Sequence, residues 1–380
     1  MSIIRWLIAG SVLLLMLISG CTASRPPVLP QRPTEPRAQK PFYVWAYHPW
    51  WVGDAWQQYD WSVLDELLFF DLKIDATGRF SEANGWPLVW LDLIRQARVV
   101  HVPITPTISL FSRDDFVLLF SSTLHRRVLV DYLIEAVQLT QAPGVHLDFE
   151  IFESVPEVAR AGFTAFVRDL RHALDALDGN HMLTMYALAF DPGDVFDESA
   201  LVPYIDYFVV QGYDLHWKGG ATAGPVAPVR GWGTANWEAV LSRFLSLGVP
   251  RSKIIMALPF YGYEWPVASP EPGAPTRGAG VSVTYAPVDT TAMPLFRISA
   301  LERVRQFGFK RDPLSQSPYY VFRDSTGWVQ GWFEDPVSIR EKIQFVKQHR
   351  LAGIAIFVPA YDNGELFRVI REALYESVTQ

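Results

Sequence analysis

The 380 residues carry 33 basic and 40 acidic side chains, a net charge of −7, with 14% aromatics including 14 Trp and a single Cys. Residues 1–40 hold five of the basic residues and one of the acidic ones, so the remaining body stands at 28 against 39, net −11, with no Lys/Arg cluster. That balance excludes nucleic acid and anionic membrane surfaces as partners of the body, and the single Cys excludes an internal disulfide. An uncharged polymer remains, and the aromatic content suits sugar rings, which stack on aromatic faces.

In chain order, the first feature is a processing signal. Arg5 precedes an apolar run from Trp6 to Ile18, shorter than a comfortable membrane span, which runs into Ser19-Gly20-Cys21. Small residues ahead of a cysteine resemble the lipobox of bacterial lipoproteins. The resemblance implies a signal peptide over residues 1–21, with Cys21 as the lipid-attachment residue. The protein would then be extracytoplasmic and membrane-anchored, at the outer membrane or cell surface. Thr22, rather than Asp, follows Cys21, which fits outer-membrane sorting. Residues 22–40, with Pro26, Pro27, Pro30, Pro33 and Pro36 among arginines, cannot bury a core and read as an extended tether.

The body, 41–380, alternates short β-branched or aromatic runs with helical periodicity. Strands are expected at Tyr43–Tyr47, Glu66–Asp71, Val102–Leu110, Gly144–Glu150, Leu183–Leu188, Tyr207–Tyr213, Lys253–Phe260 and Gly353–Val358. Helical stretches at Leu124–Leu139, Ala159–Leu177, Trp237–Leu247 and Pro336–His349 lie between them, with apolar residues at three-to-four spacing. Eight strand–helix alternations predict an α/β fold, a TIM (β/α)8 barrel whose working residues sit at the C-terminal ends of the strands. The long gap between the seventh and eighth strands, about 266–333, is too long for a loop and reads as a small α+β insertion.

The fourth strand is the most informative segment. In Gly144-Val145-His146-Leu147-Asp148-Phe149-Glu150, apolar and ionisable residues alternate strictly. On a strand the three ionisable side chains share one face, with Cα atoms at i and i+2 roughly 6.5–7 Å apart. A buried strand pointing carboxyls into a cleft separates their pKa values and holds an acid rigidly, as a general acid requires. A half-buried strand with a polar outer face is the plainer reading of the same string.

Three further strings join it in order: Gln211-Gly212-Tyr213-Asp214, Ala257-Leu258-Pro259-Phe260-Tyr261-Gly262 and Gly353-Ile354-Ala355-Ile356-Phe357. Together they resemble the family 18 glycoside hydrolases, the chitinase-like group, over residues from about 42 to 365. In that family the fourth strand carries Asp-x-x-Asp-x-Asp-x-Glu, and this chain has Pro143 and His146 at the first two aspartates. The eighth-strand Trp is replaced by Phe357, and Thr107-Ile108-Ser109-Leu110 replaces the usual Ser-x-Gly-Gly on the third strand.

The resemblance implies hydrolysis of β-linked N-acetylglucosamine-containing glycans by a substrate-assisted retaining mechanism. Glu150 would be the general acid and base, Asp148 would bind the acetamido N–H, and Tyr213 would bind its carbonyl. Asp214 and Gln211 would hold the sugar, with Phe357, Tyr47 and Trp265 as stacking surfaces and His146 beside them. No metal-ligand spacing surrounds His146, and the chemistry requires no cofactor. A non-catalytic, lectin-like protein on the same barrel stays open, because two of the accompanying aspartates are missing.

Overall fold

The computed structural model describes residues 40–289, 293 and 296–375. The expected signal peptide, Cys21 and the tether up to residue 39 lie outside the described residues.

The strands in chain order are β1 (Tyr43–Pro49), β2 (Glu66–Ile74), β3 (Phe80–Glu82), β4 (Ile104–Leu110), β5 (Gly144–Phe149), β6 (Met182–Ala187), β7 (Tyr207–Val210) and β8 (Ile254–Pro259). Five more form a separate antiparallel sheet: β9 (Tyr261–Val267), β10 (Val281–Thr284), β11 (Lys310–Arg311), β12 (Pro318–Arg323) and β13 (Trp328–Trp332); β14 (Gly353–Phe357) then rejoins the first sheet. β1, β2, β4, β5, β6, β7, β8 and β14 pair in parallel, and β1 pairs with both β2 and β14, so the sheet closes into an eight-stranded barrel. All eight expected strands are present, with ends shifted by one to three residues. β3 adds an antiparallel hairpin to the end of β2.

The barrel closes because its outward residues find helices to cover them. α1 (Arg113–Ser121), α2 (Thr123–Thr140) and α3 (Glu157–Asp175) follow β4 and β5. Phe149 on β5 packs against Phe120 of α1 at 5.7 Å and Phe163 of α3 at 5.6 Å, ring centre to ring centre. Each such fully buried ring is worth about 3–5 kcal/mol against alanine. The period-2 rule then turns His146 and Asp148, on the same strand, into the barrel.

The interior there is polar. Tyr47 Oη lies 2.8 Å from His146 Nε2, and His146 Nδ1 lies 2.8 Å from Thr184 Oγ1, so a chain of hydrogen bonds crosses from β1 through β5 to β6. Burying these groups unpaired would cost about 1–3 kcal/mol each, and the three satisfy one another.

The inserted sheet has the order β10-β9-β13-β12-β11, with α4 (Ala300–Phe307) against it. Glu264 on β9 ties them together: it accepts from Arg303 Nε at 2.8 Å, Arg303 Nη2 at 3.0 Å and Tyr320 Oη at 2.9 Å. The sheet begins at Tyr261, ahead of the expected 266, because β9 continues almost directly from β8. Arg311 of β11 pairs with Asp335, the N-terminal cap of the helix Pro336–Gln348, and so returns the chain to the barrel.

Candidate active site

The C-terminal end of the barrel holds a cleft of about 220 Å³ lined by Trp51, Phe70, Asp148, Glu150, Tyr186, Gln211, Tyr213, Asp214, Tyr261, Tyr263, Ser282, Phe296, Phe357 and Tyr361. Each expected site residue has a defined place relative to it.

Asp148 and Glu150 meet there. β5 delivers Asp148 at 3% exposure, and the Glu150 amide still donates to the Leu110 carbonyl at 3.2 Å, so the glutamate is held in line although the strand ends at Phe149. Burial pushes the Glu150 carboxyl up to about 7, and the charge of Asp214 adds to it. Burial also raises Asp148 well above the usual carboxylate range, followed by the charges of Glu150 and Asp71. Asp148 Oδ1 is buried and has no hydrogen-bond partner among the described residues. A carboxyl in that state accepts a donor brought by a ligand at little desolvation cost.

Gln211, Tyr213 and Asp214 come from the loop after β7. Gly212 makes their approach possible: a Cβ there would lie 2.2 Å from the Ala257 carbonyl oxygen and 2.7 Å from Trp237 Nε1. Trp237 Nε1 donates to the Gly212 carbonyl at 2.6 Å, which fixes the peptide. Gln211 Oε1 accepts from the Ala189 amide at 3.1 Å, and the residue lines the cleft. Asp214 takes a left-handed backbone at φ 56° and accepts from Tyr261 Oη at 2.5 Å and Tyr263 Oη at 3.0 Å. Burial raises its pKa, although both tyrosine bonds oppose the rise.

Phe357, at the end of β14, stacks on Tyr213 with ring centres 5.7 Å apart and planes 28° apart. It also meets Phe70 and Tyr261 edge-on, at 5.9 and 6.2 Å. An aromatic floor therefore forms despite the loss of the tryptophan.

Three expectations are corrected. Tyr47 does not present a stacking face: it lies deeper in the barrel, 1% exposed, beneath Phe357 and bonded to His146. His146 is fully enclosed between Tyr47 and Thr184, and burial lowers its pKa to about 3, so it is a neutral strut and not a sugar contact. Trp265 is fully buried in the inserted sheet and does not line the cleft, its Nε1 donating to the Lys218 carbonyl at 3.3 Å. Alternation along a strand tells which face a side chain takes but not its depth.

Tyr261, Tyr263, Tyr186 and Phe70 are cleft residues to which the sequence reading gave no site role. The signal for the first two was present in Tyr261-Gly262-Tyr263, whose alternation puts both hydroxyls on one face.

The family profile described as "Glycosyl hydrolases family 18" matches residues 108–362, more than half of the chain. The putative sporulation-specific glycosylase YdhD of Bacillus subtilis (strain 168) is 29% identical over 240 residues, covering 60% of this chain and 50% of that protein. Chitotriosidase-1 of Mus musculus is 24% identical over 272 residues, covering 67% and 56%. The chain thus spans about half the length of the curated relatives it matches. Among solved structures, a family 18 N-acetylglucosaminidase from Paenibacillus barengoltzii superposes with a TM-score of 0.72 at 20% identity, covering 87% of this chain and 99% of that one. A family 18 chitinase from Cycas revoluta, in complex with allosamidin, gives 0.74 at 18% identity over 87% and 99%. Those structures share the barrel, and the profile match over the segment that builds the cleft makes this chain a member of glycosyl hydrolase family 18.

Proposed function

We propose that the cleft hydrolyses β-linked N-acetylglucosamine-containing glycans, chitin-type or peptidoglycan-type, by a substrate-assisted retaining mechanism with Glu150 as general acid and base. The observation that carries this reading is a glutamate with its pKa at about 7 in the cleft, above a second, enclosed carboxyl on the same strand. Near neutral pH such a glutamate is available in both protonation states, as an acid that later acts as a base must be.

The nucleophile is the sugar's own amide. Asp214, the remaining carboxylate of the cleft, has its oxygens engaged by two tyrosine hydroxyls and is poorly placed to attack a carbon. The acetamido oxygen attacks the anomeric carbon as the glycosidic C–O bond breaks, and Glu150 gives its proton to the leaving oxygen. A positively charged oxazolinium results. Water then attacks the same carbon, Glu150 takes the water's proton, and the acetamido group is restored.

Asp148 acts through charge. In the free site burial raises its pKa, which favours the protonated form. An acetamido N–H donated to its unpartnered Oδ1, followed by positive charge on the ring, favours the ionised form and leaves the proton with Glu150. Tyr213 is placed to donate to the acetamido oxygen, and Phe357 to support the ring. Lys, Arg and His are absent from the described lining residues, which suits an uncharged sugar. Relatives named a glycosylase and a chitotriosidase, and a Cycas revoluta chitinase solved with (GlcNAc)4, support a carbohydrate substrate.

Replacing Glu150 by Gln should remove about 10²–10⁴-fold of turnover on chitooligosaccharides, read as new reducing ends, while sugar binding persists. Undiminished hydrolysis by that variant rejects the reading. Binding without turnover is the second reading, favoured by the neutral His146 where the family pattern has an aspartate. Its mark is chitooligosaccharide bound by the natural chain with no new reducing ends from either glycan. The proposal extends to placement: lipid on Cys21 would hold the barrel outside the cytoplasm at a membrane, within reach of wall or environmental glycan.

A further inference from the structure

We propose that Asp71, on the neighbouring side of the barrel from the catalytic strand, is a positioning residue that supplies the fixed negative charge for Asp148 that the family's missing aspartate supplies elsewhere. This rests on the hydrolase reading of the cleft, and its test carries a readout that does not need turnover.

The position ordinarily beside the catalytic pair is His146, and it cannot serve. Its ring is neutral, and both of its nitrogens are engaged by Tyr47 and Thr184. The structure brings in another carboxylate across β4. Asp71 is 1% exposed on β2, and Ser109 Oγ donates to its Oδ2 at 2.5 Å. Ser109 is in turn the parallel partner of Asp148 on β5. One β4 side chain therefore stands between the two aspartates, bonded to one and in register with the other. Asn84 Nδ2 completes the hold on Asp71, at 2.8 Å from its carbonyl oxygen and 3.2 Å from Oδ1.

Burial raises the pKa of Asp71, and the Ser109 hydrogen bond and the charge of Lys73 oppose the rise. Lys73, on its own strand, is committed to Glu82 of β3 at 2.7 Å, and that pair lies toward solvent. Ser109 on β4, Asn84 after β3 and Trp50 after β1 are neutral donors or neighbours, and these hydrogen bonds favour the ionised form of Asp71. From β5 and beyond come Asp148 and Glu150, the acids of the cleft. The charge of Asp71 is among the influences that raise the pKa of Asp148, after burial and Glu150. An ionised Asp71 keeps the proton on Asp148 until a sugar arrives. It touches no substrate.

The test is an infrared titration of the protonated-carboxyl C=O stretch in the full chain, assigned to Asp148 by its loss in Asp148→Asn. Asp71→Asn removes the charge at constant shape, so the Asp148 band should titrate away at a pH about one unit lower. Ser109→Ala, which loosens Asp71 and keeps every backbone bond of β4, should give a smaller shift the same way. Where chitooligosaccharides are cleaved, the acidic limb of kcat/KM should move with the band while KM is little changed. A band whose midpoint stays in place in either folded variant overturns the proposal, as does a uniform loss of kcat at every pH. An inactive natural chain with a shifted band instead rejects the hydrolase reading and leaves the Asp71–Asp148 coupling standing.

Discussion

The Tyr47 hydroxyl and His146 Nε2, 2.8 Å apart, join β1 to β5, the strand that carries Asp148 into the cleft. Because His146 is buried as the neutral ring, its folded pKa of about 3 lies below the unfolded value of 6.5. The unfolded chain binds the extra proton between those values, so this stabilisation is full above pH 6.5 and is lost as pH falls toward 3. His48, lowered to about 3 by burial, acts in the same direction. Thermal melts should fall steeply over that window, and His146→Gln should be less stable at pH 7 by about 1–3 kcal/mol but show a shallower acid decline. Parallel melting curves for the two proteins would count against the strut.

Glu150 has the opposite sign. Its folded pKa of about 7 exceeds the unfolded 4.5, so the folded state binds more protons in between and stability falls as pH rises through that interval. Glu150→Gln should therefore stabilise the protein at pH 8 by on the order of 1–3 kcal/mol, discounted for partial solvent contact, and have little effect at pH 4. Denaturant midpoints at the two pH values check this. The same ionisation should place the basic limb of kcat/KM near pH 7.

Phe357 should divide binding from support. Phe357→Ala removes the ring stacked on Tyr213 and should raise KM for chitooligosaccharides about tenfold, with a stability loss of about 2 kcal/mol because the ring is only part-buried. Phe357→Trp should keep most of the activity. An unchanged KM in the alanine variant would remove Phe357 from the sugar site.

Gly212→Ala tests the approach of the β7 loop. The new methyl would lie 2.2 Å from the Ala257 carbonyl oxygen, so the loop carrying Gln211, Tyr213 and Asp214 must move. The expected result is loss of activity on chitooligosaccharides with a melting point lower by several degrees.

Cys21→Ala should abolish incorporation of labelled fatty acid and shift the protein from the membrane fraction to the soluble one. Retention of the label in that variant would place the lipid elsewhere or remove it from the account.

Much of the barrel was legible because each strand carried its own period, as in Gly144–Glu150, and the helices between repeated every three to four residues. Glu150, Asp148, Tyr213, Asp214, Gln211 and Phe357 were legible as cleft residues because each sits at or just beyond a strand end. Depth was not. Tyr47 and His146 face inward as alternation requires, yet a few residues' distance from the strand end puts them below the cleft. Trp265 shares a strand face with Tyr261 and Tyr263, but further along β9 it is fully buried within the inserted sheet, beyond the cleft. Asp71 was visible only as the end of an expected strand, since its importance depends on Ser109, thirty-eight positions away in sequence, lying between it and Asp148.

Only Phe260 separates the barrel strand β8 from β9, and the next residues, Tyr261 and Tyr263, are the ones that clamp Asp214. The inserted sheet is therefore not an interchangeable cassette. A chimera that imports the insertion of a relative with its junction at residue 260 also replaces the phenols that grip this carboxylate, whereas a junction after Tyr263 leaves them with the host.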